Sequence, residues 1–190
     1  MLVPSIRIFA RKCECREISK NDANEFLELY HLNGGSRNSK YHFGLYYDNE
    51  LISVMSFGIR RFCGGTEIMR YVVKSGLSIV GGANKLFKHF VDYYKIDEVF
   101  TYSDNDYFTG DVYRRLGFTF MGYTDPSYYW YNAHRGALKR EQCQPSKLKE
   151  KYPELYDSTA SSIENDIMLK LKYCRVHRAG NSKWIWRRGE

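Results

Sequence analysis

The run Ser78-Ile79-Val80-Gly81-Gly82-Ala83-Asn84-Lys85-Leu86 carries the sharpest chemical signal in the chain. Two adjacent glycines open a segment whose apolar residues Ala83, Leu86, Phe87, Phe90, Val91 and Tyr94 repeat with helical period, so one face must be buried. Backbone N–H groups at such a helix start are unpaired and sit at the positive end of the helix dipole, which suits a pyrophosphate or another anion. The same glycines also fit plain turn chemistry. Four other side chains have the types needed to handle protons and anions. Asp104 ends Thr101-Tyr102-Ser103-Asp104, where a crevice opens in α/β sheets and a carboxylate can take a proton from an amine. It fits a turn or a cap equally well. Arg70, in Glu67-Ile68-Met69-Arg70-Tyr71, can pair with Asp104 or hold an anionic group. His31 closes a helix ahead of Gly34-Gly35, as a base, a substrate grip or a favourable charge at a helix C-terminus. Tyr113 falls with Val112 and Leu116 on the apolar face of a short helix.

The elements that must position these residues alternate between strand and helix. Ile6 to Ala10 and Arg16 to Ile18 read as short extended segments, and Asn21 or Asp22 caps a helix bearing Ala23, Phe26, Leu27 and Tyr30. Tyr41 to Tyr47 and Leu51 to Phe57 flank the turn Asp48-Asn49-Glu50 as a hairpin, and Thr66 to Val73 supplies another strand. After the glycine-led helix come a strand from Glu98 to Tyr102, a short helix capped by Thr109, and strands at Phe118 to Tyr123 and Tyr128 to Tyr131. This order predicts an α/β layered fold with a mixed, largely antiparallel central sheet flanked by helices. Beyond Asn132 the pattern turns charged, with Pro145 and Pro153, a capping box at Ser161-x-x-Glu164, and a last strand at Trp184-Ile185-Trp186. A boundary near residue 136 therefore separates a domain over 1–136 from a basic extension over 137–190 that packs back on it.

Net charge is +7. Its excess sits in the extension, where 12 Lys and Arg face 7 Asp and Glu. That footprint fits either a polyanionic partner or a solvated surface. For nucleic acid, the candidate contacts are Lys139, Arg140, Lys147, Lys149, Lys151, Arg187 and Arg188. The 17 Tyr, 11 Phe and 3 Trp supply rings that line clefts, stack on bases or simply pack at the core edge. Cys13, Cys15, Cys63, Cys143 and Cys174 are scattered, which argues against a disulfide framework, and no second pair stands at zinc spacing, so no metal site is expected. With no apolar run long enough to span a bilayer and no signal peptide, the expectation is a cytoplasmic protein without a membrane partner. Oligomeric state is not readable from the residues.

Ser78-x-x-Gly81-x-Ala83, followed by Tyr113-Arg114-Arg115-Leu116-Gly117-Phe118, resembles the core of the GNAT acyltransferase fold. The resemblance implies acetyl-CoA or another acyl-CoA as donor, with Ser78, Val80, Gly81, Gly82, Ala83, Asn84 and Lys85 around its phosphates. It departs from the family where Ser78 replaces a leading basic or amide residue. The runs from Phe26 to Gly35, Gly44 to Gly58 and Val80 to Phe87 are similar to a family of phage-encoded proteins, stand-alone or fused to homing or repair-type nucleases. These in turn resemble Mom-type DNA-modification proteins, whose functional arginine, aspartate and tyrosine would correspond to Arg70, Asp104 and Tyr113. By that resemblance Asp104 handles the acceptor proton and Tyr113 assists the leaving thiolate, and His31, from its place at the helix end, is the candidate to share the proton with Asp104. The expected activity is acyl transfer to an amine, on a nucleobase of DNA more than RNA. The alternatives are a non-catalytic nucleic-acid-binding module on a degenerate GNAT shell, and a small-molecule or protein N-acetyltransferase.

Overall fold

A computed structural model of the chain describes residues 6–59 and 64–189, so the expectation placed on Cys63 lies outside the described residues. In chain order the elements are β1 (Ile6–Phe9), β2 (Glu14–Glu17), α1 (Lys20–Tyr30), β3 (Ser39–Tyr47), β4 (Glu50–Ile59), β5 (Thr66–Val73), β6 (Leu77–Val80), α2 (Gly82–Tyr93) and β7 (Glu98–Asp104). There follow α3 (Asp111–Arg115), β8 (Thr119–Tyr123), β9 (Ser127–Asn132), β10 (Gly136–Lys139), α4 (Pro145–Lys151), α5 (Ile163–Lys170), β11 (Cys174–Arg178) and β12 (Asn181–Arg187). A seven-stranded sheet has the order β2-β3-β4-β5-β7-β12-β8. Its pairs from β2 to β5 are antiparallel and β5 pairs β7 in parallel, which is the mixed α/β architecture expected.

Local chemistry explains the first half. Asp48 and Asn49 both take positive φ, 49° and 64°, giving the tight turn whose twist matches a β-hairpin. Ser19, rather than Asn21 or Asp22, caps α1: its extended backbone lets its hydroxyl accept from the Asp22 N–H at 3.1 Å. Thr109 likewise yields the cap of α3 to Gly110, whose φ of 77° lies in the left-handed region. The side chains of α2 bury one face of the sheet, with Phe90 stacked on Phe57 at 3.6 Å between ring centres and Phe43 edge-on to both. On the opposite face Ala23, Phe26 and Leu27 of α1 pack with Val54. A strand the sequence pattern did not disclose, β6, pairs in parallel with β1 from Ile6–Leu77 to Phe9–Val80.

The chain forms two compact units. The first holds Met1–Ser103, Phe108–Gly122 and Ser182–Glu190, and the second Asp104–Tyr107 and Tyr123–Asn181. The second unit is thus an excursion: the chain leaves the large sheet after β8 and re-enters it as β12, between β7 and β8. The expected boundary at residue 136 falls inside this unit, at the first residue of β10. Tyr128 to Tyr131, expected to complete the central sheet, instead lie in β9 at the centre of a separate sheet ordered β10-β9-β11. The unit has its own core of Trp130, Cys143, Leu148, Ile167, Met168 and Tyr173. Ser162, not Ser161, caps α5, and Glu164 closes no capping box. Its carboxylate accepts instead from the Tyr128 hydroxyl at 2.9 Å and the Trp130 indole N–H at 2.7 Å. A buried indole N–H and a half-buried phenol outcompete a helix-end amide that water can satisfy. Among the described residues no helix is long and apolar enough to cross a membrane.

Candidate active site

The site begins where β5 meets β7. Their register runs Thr66–Val99 and Glu67–Phe100, and at the next step the Thr101 hydroxyl donates to the Ile68 carbonyl at 3.3 Å. On its other side β5 stays paired with β4 as far as Val73. Within that ladder Ser56 opposes Arg70 and Phe57 opposes Ile68, so Met69 is the extra residue of a bulge. Arg70 therefore shares a sheet face with Val72, which packs against the α1 cluster.

Arg70 is held by main chain. Its Nε donates to Gly34 O at 3.2 Å and its Nη1 to Met69 O at 2.7 Å. Burial pulls its pKa down, yet a guanidinium remains a cation. His31 lies at the C-terminal cap of α1, where its Nδ1 accepts from the Asn33 N–H at 3.0 Å. Burial, helped by the charge of Arg70, pushes its pKa down to about 4. His31 is therefore neutral at pH 7, with its proton assigned to Nε2. So weak a base corrects the expectation that it deprotonates the acceptor. Tyr113 of α3 is hydrogen-bonded to the Thr101 side chain; burial raises its pKa, against lowering by that bond and by Arg70. The phenol therefore keeps its proton at neutral pH. The fold thus brings His31, Arg70 and Tyr113 into one electrostatic set, joined by Thr101 and Glu67, which sequence inspection had not singled out. Both added residues sit in ordinary strand patterns, and only the β5–β7 pairing selects them.

The glycine-led helix start is real, with additions and losses. Gly81 is its N-cap at φ 77° and supplies no side chain, so no N-cap side chain occupies the first-turn N–H groups of α2. The Tyr71 hydroxyl takes the Ala83 N–H, and burial pushes the Tyr71 pKa up to about 12. Gly82 has no room for a methyl group: a Cβ there would meet Ile79 Cγ2 at 2.8 Å. Asn84 is exposed at the helix start. Ser78 and Val80 are exposed residues of β6, in register with Arg7 and Phe9. Lys85 departs from its expected place beside a phosphate, because its ammonium donates to Ala10 O at 3.0 Å and to Cys13 O. Ala10 O also accepts from the Cys13 N–H at 3.0 Å, so the lysine adds a second donor there and clamps the 3-10 turn through the Cys13 carbonyl as well. Gly81→Ala is expected to cost about 1 kcal/mol through the left-handed backbone alone, read as a lower urea midpoint with unchanged slope.

Asp104 belongs to the second unit and is ion-paired with Arg178, which also holds Asp106 at 2.6 Å. The Arg70–Asp104 pair foreseen from sequence is not formed, since each has other partners. The Asp106 carboxylate also accepts from the Ala179 N–H at 2.9 Å, which with Arg178 holds its pKa below the usual carboxylate value. A depressed folded-state pKa contributes stability above the unfolded value and loses it as pH falls through the folded one. The stability of the parent should therefore fall on acidification below about pH 4, and Arg178→Met should flatten that limb in urea melts at stepped pH.

Several basic residues have structural occupations. Arg188 donates to Val91 O at 2.7 Å and pairs with Asp92 at 3.1 Å, and Arg187 pairs with Glu98 at 3.0 Å, so both fasten β12. Lys147 donates to Glu141 O at 2.6 Å, and Lys139 lends its N–H to Gln142 at 2.8 Å. Arg140, Lys149 and Lys151 lie over the rings of Tyr128, Tyr156 and Tyr152 at 5.2, 5.1 and 5.3 Å, with their charges exposed.

A chain that leaves a mixed sheet at a parallel crossing, and turns through glycines into the helix covering it, has counterparts among solved structures. An IAA acetyltransferase from Bacillus cereus matches with a TM-score of 0.52 at 14% identity, over 92% of this chain and 99% of that one. The fold is that of the GNAT acetyltransferases. A Bacillus subtilis acetyltransferase solved in complex with CoA aligns at a TM-score of 0.48 and 13% identity, over 93% of this chain and 97% of that chain. A GNAT family acetyltransferase from Elizabethkingia anophelis with acetyl-CoA bound aligns at 0.47 and 14%, over 93% and 98%. A scan against protein-family models finds no match, and a search of curated proteins finds none.

Proposed function

We propose that the chain transfers an acyl group from an acyl-coenzyme A to an amine. The observation that carries this reading is the set of His31, Arg70, Thr101 and Tyr113 gathered where β5 meets β7, on a chain that then turns through Gly81 into α2. The donor fits the groups present: the N–H groups of Gly82 and Asn84 have no intrahelical acceptor and would hold its diphosphate. Bound there, the donor supplies an activated thioester carbonyl. Tyr113 Oη, kept protonated by burial and held in place by its bond to Thr101, would turn its proton to the leaving sulfur and regain one from the attacking amine. The remaining contribution is alignment of amine and carbonyl, which is worth several orders of magnitude without any covalent step.

The acceptor in this reading is an amine on a nucleobase, in phage-related DNA modification. Supporting it are the net charge of +7 and the resemblance to phage-encoded and Mom-type proteins. Titration calorimetry with acetyl-CoA tests the donor, and mass spectrometry of nucleosides from cells expressing the protein tests the acceptor. An acylated nucleoside absent with Tyr113→Phe is expected; no acetyl-CoA binding at millimolar ligand would overturn the reading.

One observation favours a non-catalytic nucleic-acid-binding module. Ser78 stands where the family carries a basic or amide residue, and Lys85 is committed to carbonyls, so the loop's own side chains bring no cation to a diphosphate. That module would bind DNA with a steep salt dependence while ignoring acetyl-CoA.

A further inference from the structure

On the sheet face that carries Arg70, one cross-strand row is polar where a two-layer fold is ordinarily apolar. By register His42, Ser56 and Arg70 stand side by side across β3, β4 and β5. Ser56 is fully buried and His42 is 3% exposed, with His42 Nδ1 2.9 Å from Ser56 Oγ and its Nε2 lacking any partner among the described residues. Burying such groups costs stability that an apolar row would not. Arg70 ends the row with two of its donors on main-chain carbonyls. Among the described residues its Nη2 is paired with no acceptor and no carboxylate stands within ion-pair distance, although the charge of Glu67 reaches the guanidinium. The turn after α1 ties His31 to the same place: the Gly34 N–H donates to His31 O at 2.9 Å while Gly34 O accepts from Arg70.

We propose that Arg70 and His31 form a binding site for an oxyanion carried by the acceptor, a phosphate or a carboxylate. Arg70 Nη2 and the His31 Nε2–H are the donors. The guanidinium presents the planar fork that such groups match, and the half-buried setting strengthens the contact relative to water. The neutral histidine adds a donor without a second like charge beside Arg70. Assignment of the oxyanion to the acceptor rests on the acyl-transfer reading; the site itself rests on the geometry.

The test is an NMR titration of the His31 imidazole in the intact protein, with inorganic phosphate, formate, or chloride at matched ionic strength. Burial and, after it, the field of Arg70 depress His31, while Glu28 of the same helix is turned to the Gly35 N–H. An oxyanion seated on Arg70 offsets that field, so the His31 pKa should rise by about one unit, saturably, with phosphate or formate but not chloride. Arg70→Gln should start from a higher pKa and lose the anion response. Arg70→Lys, which keeps the charge without the fork, should respond with several-fold weaker half-saturation and serves if Arg70→Gln fails to fold. The tighter of phosphate and formate identifies the acceptor group. An equal response to chloride, or an undiminished response in either variant, overturns the proposal. Acetyl-CoA binding is measured on the same samples. Donor binding with no anion response sinks the oxyanion site alone, and an anion response without donor binding sinks the acyl-transfer reading alone.

Discussion

Tyr113→Phe is expected to bind acetyl-CoA as the parent does and to turn over about 10²- to 10⁴-fold more slowly, the range by which a positioned proton donor accelerates a reaction. The substitution removes one oxygen and leaves the ring, which sits 5.7 Å from Phe118 and 6.3 Å from Trp184. Burial keeps the phenol protonated, and the bond to Thr101 holds its oxygen in place. Thiol release under single-turnover conditions is the measurement, because it isolates the step in which sulfur departs. Full turnover with a lowered melting temperature would mean that Tyr113 only packs against its neighbours. Thr101→Val should give a smaller loss of the same kind, since the phenol survives there but loses its orienting partner.

The second large effect concerns stability. Trp130→Ala is expected to destabilise the second unit by about 3–5 kcal/mol, the usual cost of emptying a buried aromatic site. Trp130 is 1% exposed among Leu148, Ile167 and Met168, and its indole N–H donates to Glu164. Removal therefore opens a cavity and takes one donor from a carboxylate that also serves Tyr128. Trp130→Phe keeps one ring in the core while losing the hydrogen bond and part of the volume, and should cost clearly less. Urea denaturation followed by far-ultraviolet circular dichroism reads both. Losses below about 1 kcal/mol for the alanine variant would place Trp130 outside a packed core.

Much of the first unit was legible because its signals are local. The stripe from Ala83 to Tyr94 needs only the helical period, and Asp48-Asn49 needs only the tolerance of those residues for positive φ. Caps were legible to within a few residues. Ser19 and Ser162 won over Asn21 and Ser161 because the chain's approach angle decides which side chain reaches a free N–H, whereas Gly110 displaced Thr109 because the chain enters α3 through a left-handed residue. The β9 strand was visible as a strand but assigned to the wrong sheet, since an alternating run has no signal for its partner. Lys85, Arg187 and Arg188 were visible as charges, yet what they neutralise lies far along the chain, at Ala10, Cys13, Glu98 and Asp92.

By itself, then, the sequence determined the layered α/β class, the helix born from Gly81-Gly82 and the candidates His31, Arg70 and Tyr113. Period, glycine conformation and residue chemistry act over a few residues and survive without a partner. Only the tertiary structure decided that Asp104 serves Arg178, that β12 enters the sheet between β7 and β8, and that Arg70 ends a buried polar row beside a neutral His31. Each of those depends on which distant groups share a low-dielectric interior, where an unmet donor or charge costs more than any local preference can offset.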